Sequence, residues 1–142
     1  MIGWVDFDLD GDLDLALTGA AADGMHHILR NELSQEKAQQ SLQILVLDGK
    51  GHYTRAGSEV RLYESKNKKL IGTNILDTGS GYNSQNAMPV HFGLRGVESV
   101  DVEVTVLTKK GRKALRLENV DPKNYVGRYL IVKVNADGVE VK

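Results

Sequence analysis

The chain is expected to fold as a mostly β protein, an antiparallel β-sandwich or barrel-like domain preceded by a short β-hairpin, and three features of the sequence point there. Apolar and polar residues alternate at period two, most cleanly where Val100, Val102, Val104 and Val106 are separated by Asp101, Glu103 and Thr105. That spacing puts every valine on one face of a strand. Turn signals such as Asp48-Gly49-Lys50-Gly51, Lys109-Lys110-Gly111 and Asp137-Gly138 recur between the alternating runs. No stretch carries the apolar period of a long helix.

At 142 residues the chain is long enough for one domain, or one domain and part of another. Its 18 basic and 19 acidic residues nearly cancel, and no basic stripe interleaved with aromatics is present, so nucleic acid is not an expected partner. The short basic runs at 66–69 and 109–113 read as solvated turns. Cysteine is absent, which excludes disulfides, zinc-thiolate sites and thiol nucleophiles together. No apolar run approaches the ~18 residues of a membrane span. Met1-Ile2-Gly3-Trp4 leads straight into acidic residues, so any export signal is expected upstream.

Residues 1–33 are expected to form one unit. The stretch from Asp6 to Asp14, DFDLDGDLD, holds five carboxylates in nine residues. Like charges at that spacing repel unless a cation joins them. Oxygen donors without Cys or His favour a hard ion, and acidic residues at every second position around a glycine suit the oxygen shell of calcium. Asp6, Asp8, Asp10 and Asp14 are expected to supply side chains and Asp12 its backbone carbonyl, with Gly11 allowing the sharp turn. The ion's expected role is structural, because every ligand comes from one short loop. Leu13–Thr18 then reads as a strand, residues 19–24 as a turn and His27–Arg30 as the returning strand. Such a hairpin is too small to bury a core of its own.

Residues 34–40 read as a linker, polar and without apolar periodicity, with at most a single helical turn. From 41 to 142 one β-domain is expected. Leu42, Ile44 and Val46 alternate with Gln43 and Leu45. Glu59–Glu64 follows, with Val60 and Leu62 on one face, and then Lys68–Leu76, Val90–Leu94, Val100–Val106, Ala114–Leu117, Tyr129–Val134 and Val139–Val141. Residues 77–94 start rich in glycine and small polar side chains. Tyr82, Ser84 and Gln85, with His91 in the strand that follows, are the candidate ligand-binding residues, because several hydrogen-bonding groups on one loop commonly carry recognition. The plainer alternative has Tyr82 covering the core edge, Gln85 tying down its own loop and His91 packed in its strand with one ring nitrogen satisfied.

The pattern D-x-D-x-D-G-x-x-D, met at Asp6, Asp8, Asp10, Gly11 and Asp14, resembles the FG-GAP or VCBS repeat of calcium-binding β-propellers. Leu29-Arg30-Asn31 resembles the ending of such repeats. GSEVRLY at 57–63, GSGYNSQ at 79–85, VHFGL at 90–94, the Val100–Val106 strand and Gly111 resemble the ASPIC/UnbV domain that follows those repeats in secreted proteins. The chain departs from that family's pattern at Gly57-Ser58-Glu59, at Arg95-Gly96 and at 107–111. The resemblance implies a partial, propeller-blade-like repeat with a calcium loop at 1–33 and an ASPIC/UnbV-like β-domain at 41–142. It also implies the C-terminal part of a longer extracellular or cell-surface protein, with carbohydrate, matrix or another extracellular protein as partner. It brings no catalytic residues.

Enzymatic readings have weaker support. Asp77-Thr78-Gly79-Ser80 behind Ile75-Leu76 resembles the active-site loop of aspartic proteases, in which two such loops pair carboxylates around one proton. Only one copy occurs, and His91-Phe92-Gly93 follows too closely for a retropepsin. Gly79-Ser80-Gly81 lacks the spacers of a nucleophile elbow. The acidic loop is not an EF-hand, because Leu17 stands where a bidentate Glu is required. The expected function is a non-catalytic calcium-binding interaction module, with an aspartic protease or an accessory domain of a glycan hydrolase as alternatives.

Overall fold

A computed structural model of the chain describes residues 2–17, 19, 24–53, 55–79, 89–109, 111–135 and the backbone of 139–141. Tyr82, Ser84 and Gln85 lie outside the described residues.

The first sheet is an antiparallel meander of β1 (Ile2–Val5), β2 (Asp14–Leu17) and β3 (His27–Leu29), in that order. The sequence pointed to two strands here, and the added one is β1. Ile2 pairs with Leu17 and Trp4 with Leu15, so the acidic stretch connects two strands instead of leading into the first. Four residues broken by a glycine are too few to show alternation. The linker holds a single helical turn, α1 (Gln35–Ala38), whose buried residue is Ala38.

Two four-stranded sheets make up the rest. One contains β4 (Ser41–Asp48), β7 (Val90–Gly93), β10 (Leu130–Val134) and β11 (Val139–Val141), in the order β11-β10-β4-β7. The other contains β5 (Glu59–Glu64), β6 (Leu70–Ile75), β8 (Val100–Thr108) and β9 (Gly111–Val120), in the order β6-β5-β8-β9. Leu42, Ile44, Val46, Phe92, Leu130 and Val132 from the first sheet join Val60, Leu62, Val100, Val102, Val104 and Val106 from the second in one buried apolar cluster. The period-two pattern explains that cluster directly, since each strand contributes its apolar face.

Two expectations need correction. Both sheets are open, so the barrel-like alternative does not hold. The domain is also not wholly antiparallel, because β10 runs parallel to β4, Leu130 opposite Ile44 and Val132 opposite Val46. A parallel neighbour requires a crossover, and here the chain passes through the whole second sheet before returning beside β4.

One buried charge belongs to the fold. Asp101, inaccessible to solvent, receives Ser65 Oγ at 2.7 Å, Lys68 Nζ at 2.7 Å, Arg116 at 3.1 Å and the Asn119 amide at 3.1 Å. The register of β8 against β9 shifts at this point, where Asn119 takes a left-handed backbone, so the bulge aims an amide at the carboxylate. Burial alone pushes the Asp101 carboxyl up. The bonds from Lys68, Ser65 and Asn119 and the Lys68 charge outweigh it and hold the group well below the usual carboxylate range.

Candidate metal centre

The acidic loop folds around its own carboxylates. Asp6 is buried, and its two oxygens accept the amides of Asp10 at 3.1 Å and Gly11 at 3.0 Å. Asp14, also buried, accepts the Phe7 amide at 3.1 Å and the Asn31 amide at 2.8 Å, joining the start of the loop to the end of β3. Asp10 accepts the Asp12 amide at 3.0 Å, an Asx-type turn. Asp12 accepts the Leu33 amide at 3.2 Å, which ties the linker to the loop. Its other oxygen is buried with no hydrogen-bond partner.

Of the four carboxylates expected to surround a cation, three come together. One oxygen each from Asp6, Asp8 and Asp14 lies within 4.8 Å of the others. That spacing suits a hard cation, since ligands at ~2.3–2.6 Å from a common centre can be at most about 5 Å apart. Asp10 and Asp12 do not join this cluster and are engaged in turn and linker contacts. On the solvent side, Arg30 sits 2.9 Å from Asp8 and 3.6 Å from Asp10, supplying part of the missing positive charge.

Electrostatics agree with that reading. Burial pushes the Asp6 carboxyl above its ordinary value and the Asp10 charge adds to the effect, while bonds from Gly11, Gln43 and Asp10 offset part of it. Asp12 is raised by burial and then by the charges of Asp10, Asp14 and Asp6. Buried carboxylates of one sign, with one Asp12 oxygen beyond the Asp6–Asp8–Asp14 cluster left without a hydrogen-bond partner, leave the loop short of positive charge.

The β-domain closes the inner side of the loop. Gln43 in β4 donates its side-chain amide to Asp6, and His91 in β7 donates Nε2–H to the Gly11 carbonyl at 2.9 Å. Gly11 has φ +107°, and a Cβ there would stand 2.3 Å from the Ala38 carbonyl oxygen, so only glycine fits. Reading the sequence did not single out Gln43. The available signal was a polar residue on the outward face of β4, a face otherwise carrying Leu45 and Leu47, which implies that this face is itself covered.

His91 also lines an open cleft of about 330 Å³ with Leu13, Tyr53, Asn74, Asp77 and Pro89. Asn74 fixes the cleft wall by donating to the His91 carbonyl at 2.9 Å. Burial pushes the Tyr53 phenol up, and the nearby Asp77 charge adds to it. Asp77 itself is exposed beyond the end of β6. No helix among the described residues is long and apolar enough to cross a membrane.

Neither the curated proteins nor the solved structures contain a match to this chain. The model of the ASPIC and UnbV family matches residues 49–126, more than half of the chain, and the chain therefore belongs to that family.

Proposed function

We propose that the chain is a non-catalytic, calcium-binding interaction module of an extracellular or cell-surface protein. In this reading residues 1–33 are a partial FG-GAP/VCBS-type repeat with a calcium loop, 34–40 a linker and 41–142 a β-sandwich ASPIC/UnbV domain that meets a carbohydrate or protein partner. The observation that carries it is the gathering of Asp6, Asp8 and Asp14 oxygens within 4.8 Å in a loop braced by the β-domain. A bound calcium ion supplies the positive charge that the buried carboxylates lack. Asp6 and Asp14 are oriented for it by backbone amides, Asp8 faces it from the solvent side, and Arg30 balances the remaining charge. The cleft beside His91, with the Tyr53 phenol and Asp77 carboxylate on its wall, is the candidate ligand surface on the β-domain.

Calorimetric titration with calcium tests the reading, together with a calcium-dependent rise in melting temperature. Both should occur in the parent chain and vanish in the variant Asp8→Ala. Absence of any heat or shift in the parent chain would remove the calcium claim. A glycan array probed with the calcium-loaded protein then decides between carbohydrate and protein as partner.

A further inference from the structure

We infer that Gln43 is the β-domain's positioning residue for the cation loop, and that cation binding and docking of the N-terminal sheet are thermodynamically linked through it. The inference rests on the calcium reading of the loop. Its starting point is a pairing in the strand register: Gln43 of β4 and His91 of β7 stand directly opposite each other across the ladder. These neighbours on one sheet face hold two separate points of the acidic loop. Gln43 holds the Asp6 carboxylate and His91 holds the Gly11 carbonyl.

The chemistry of the two donors fits a supporting role. A carboxamide N–H orients a carboxylate without neutralising it, whereas Lys or Arg at the same place would take over the charge meant for the ion. Gln43 is buried, 8 % exposed, and its contact bridges 37 residues of sequence, so it reports on docking and not on local turn formation. Gly11 also sits tight against the linker, where an added Cβ would stand 2.3 Å from the Ala38 carbonyl oxygen. Meanwhile the buried Asp12 oxygen among the charges of Asp6, Asp10 and Asp14 has no hydrogen-bond partner, so the loop still lacks positive charge after the β-domain has made its contacts. Hydrogen-bond partners that orient metal ligands are commonly worth ~10–100-fold in metal affinity. Reciprocity then requires that whatever docking adds to cation affinity, the cation adds to docking.

The test uses the full chain, calcium chloride as titrant and two readouts. Gln43→Leu, similar in size, should weaken the calcium Kd by ~10–100-fold and shrink the calcium-induced rise in melting temperature. A merely structural role would lower the melting temperature in chelator while leaving Kd unchanged, and that result overturns the inference. Should Gln43→Leu fail to fold, the half-buried His91 carries the same test: His91→Ala weakens calcium binding and His91→Gln, which keeps an N–H donor, restores it. Equal affinities across both His91 variants and the parent would also overturn it. If the parent chain binds no calcium, the calcium reading fails and this inference with it, whereas parent binding with an unchanged variant Kd removes only the role of Gln43.

Discussion

The N-terminal sheet and the β-domain invert each other's chemistry. In the β-domain the apolar strand faces are inside: Val60, Leu62, Val100, Val102 and Leu130 are fully buried. In the N-terminal region Ile2, Trp4 and Ile28 remain 67 %, 62 % and 67 % exposed, while the buried groups among the described residues are Asp6, Asp12 and Asp14. One region is held by apolar area removed from water, at about 25 cal/mol per Å². The other is held by a charged turn and the two side chains that brace it. The comparison teaches that mutation should damage the first region most, and solution conditions the second.

The largest expected effect is in the shared core. Leu62→Ala should cost ~2–5 kcal/mol in denaturant unfolding, whereas Ile2→Ala should stay within about 0.5 kcal/mol. A comparable loss at Ile2 would break the comparison.

Next comes Gly11→Ala, which forces a side chain against the Ala38 carbonyl at a left-handed backbone position. A cost of ~1–3 kcal/mol is expected, localised as faster amide exchange in β1–β3 with unchanged protection in β5 and β8. Uniform loss of protection would mean that the two regions are not separable.

Acid should act on the two regions with opposite sign. The folded-state pKa of Asp101 is depressed, so its contribution is present above the unfolded value near ~3.9 and is lost as pH falls through the lower folded value. Asp6 and Asp12 are raised, so in chelator their charged forms oppose docking at neutral pH. That opposition is relieved as pH falls through their raised folded values. Amide exchange against pH in chelator should therefore show β1–β3 gaining protection on mild acidification, before the β-domain weakens in stronger acid. Parallel decline of both would contradict the assignment.

How much of this was legible in the sequence depended on range. The bounds of β5, Glu59–Glu64, and the buried valines of β8 followed from alternation alone. The strand β9 runs from Gly111 to Val120, well beyond the Ala114–Leu117 that its apolar residues suggest, because an edge strand alternates charged side chains with a half-buried face. The parallel pairing of β10 with β4 was not legible, since alternation fixes a strand's faces but not its neighbour or direction. The family match begins at residue 49 and ends at 126, while β4 and β10 on either side belong to the same core. At the candidate site, charge density announced the loop, but which carboxylates converge depended on contacts made by Asn31, Leu33, Gln43 and His91. Those partners lie from 17 to 80 residues away from the groups they hold.

The claim that the acidic loop is a cation clamp fixed to the β-domain is tested most directly by amide exchange with and without calcium. At a calcium concentration about 100 times Kd, protection across Ile2–Val5 and Asp14–Leu17 should rise on the order of 100-fold, and the loss of that rise in Gln43→Leu should accompany its weaker binding. Unchanged exchange in both strands on saturating calcium would contradict the account.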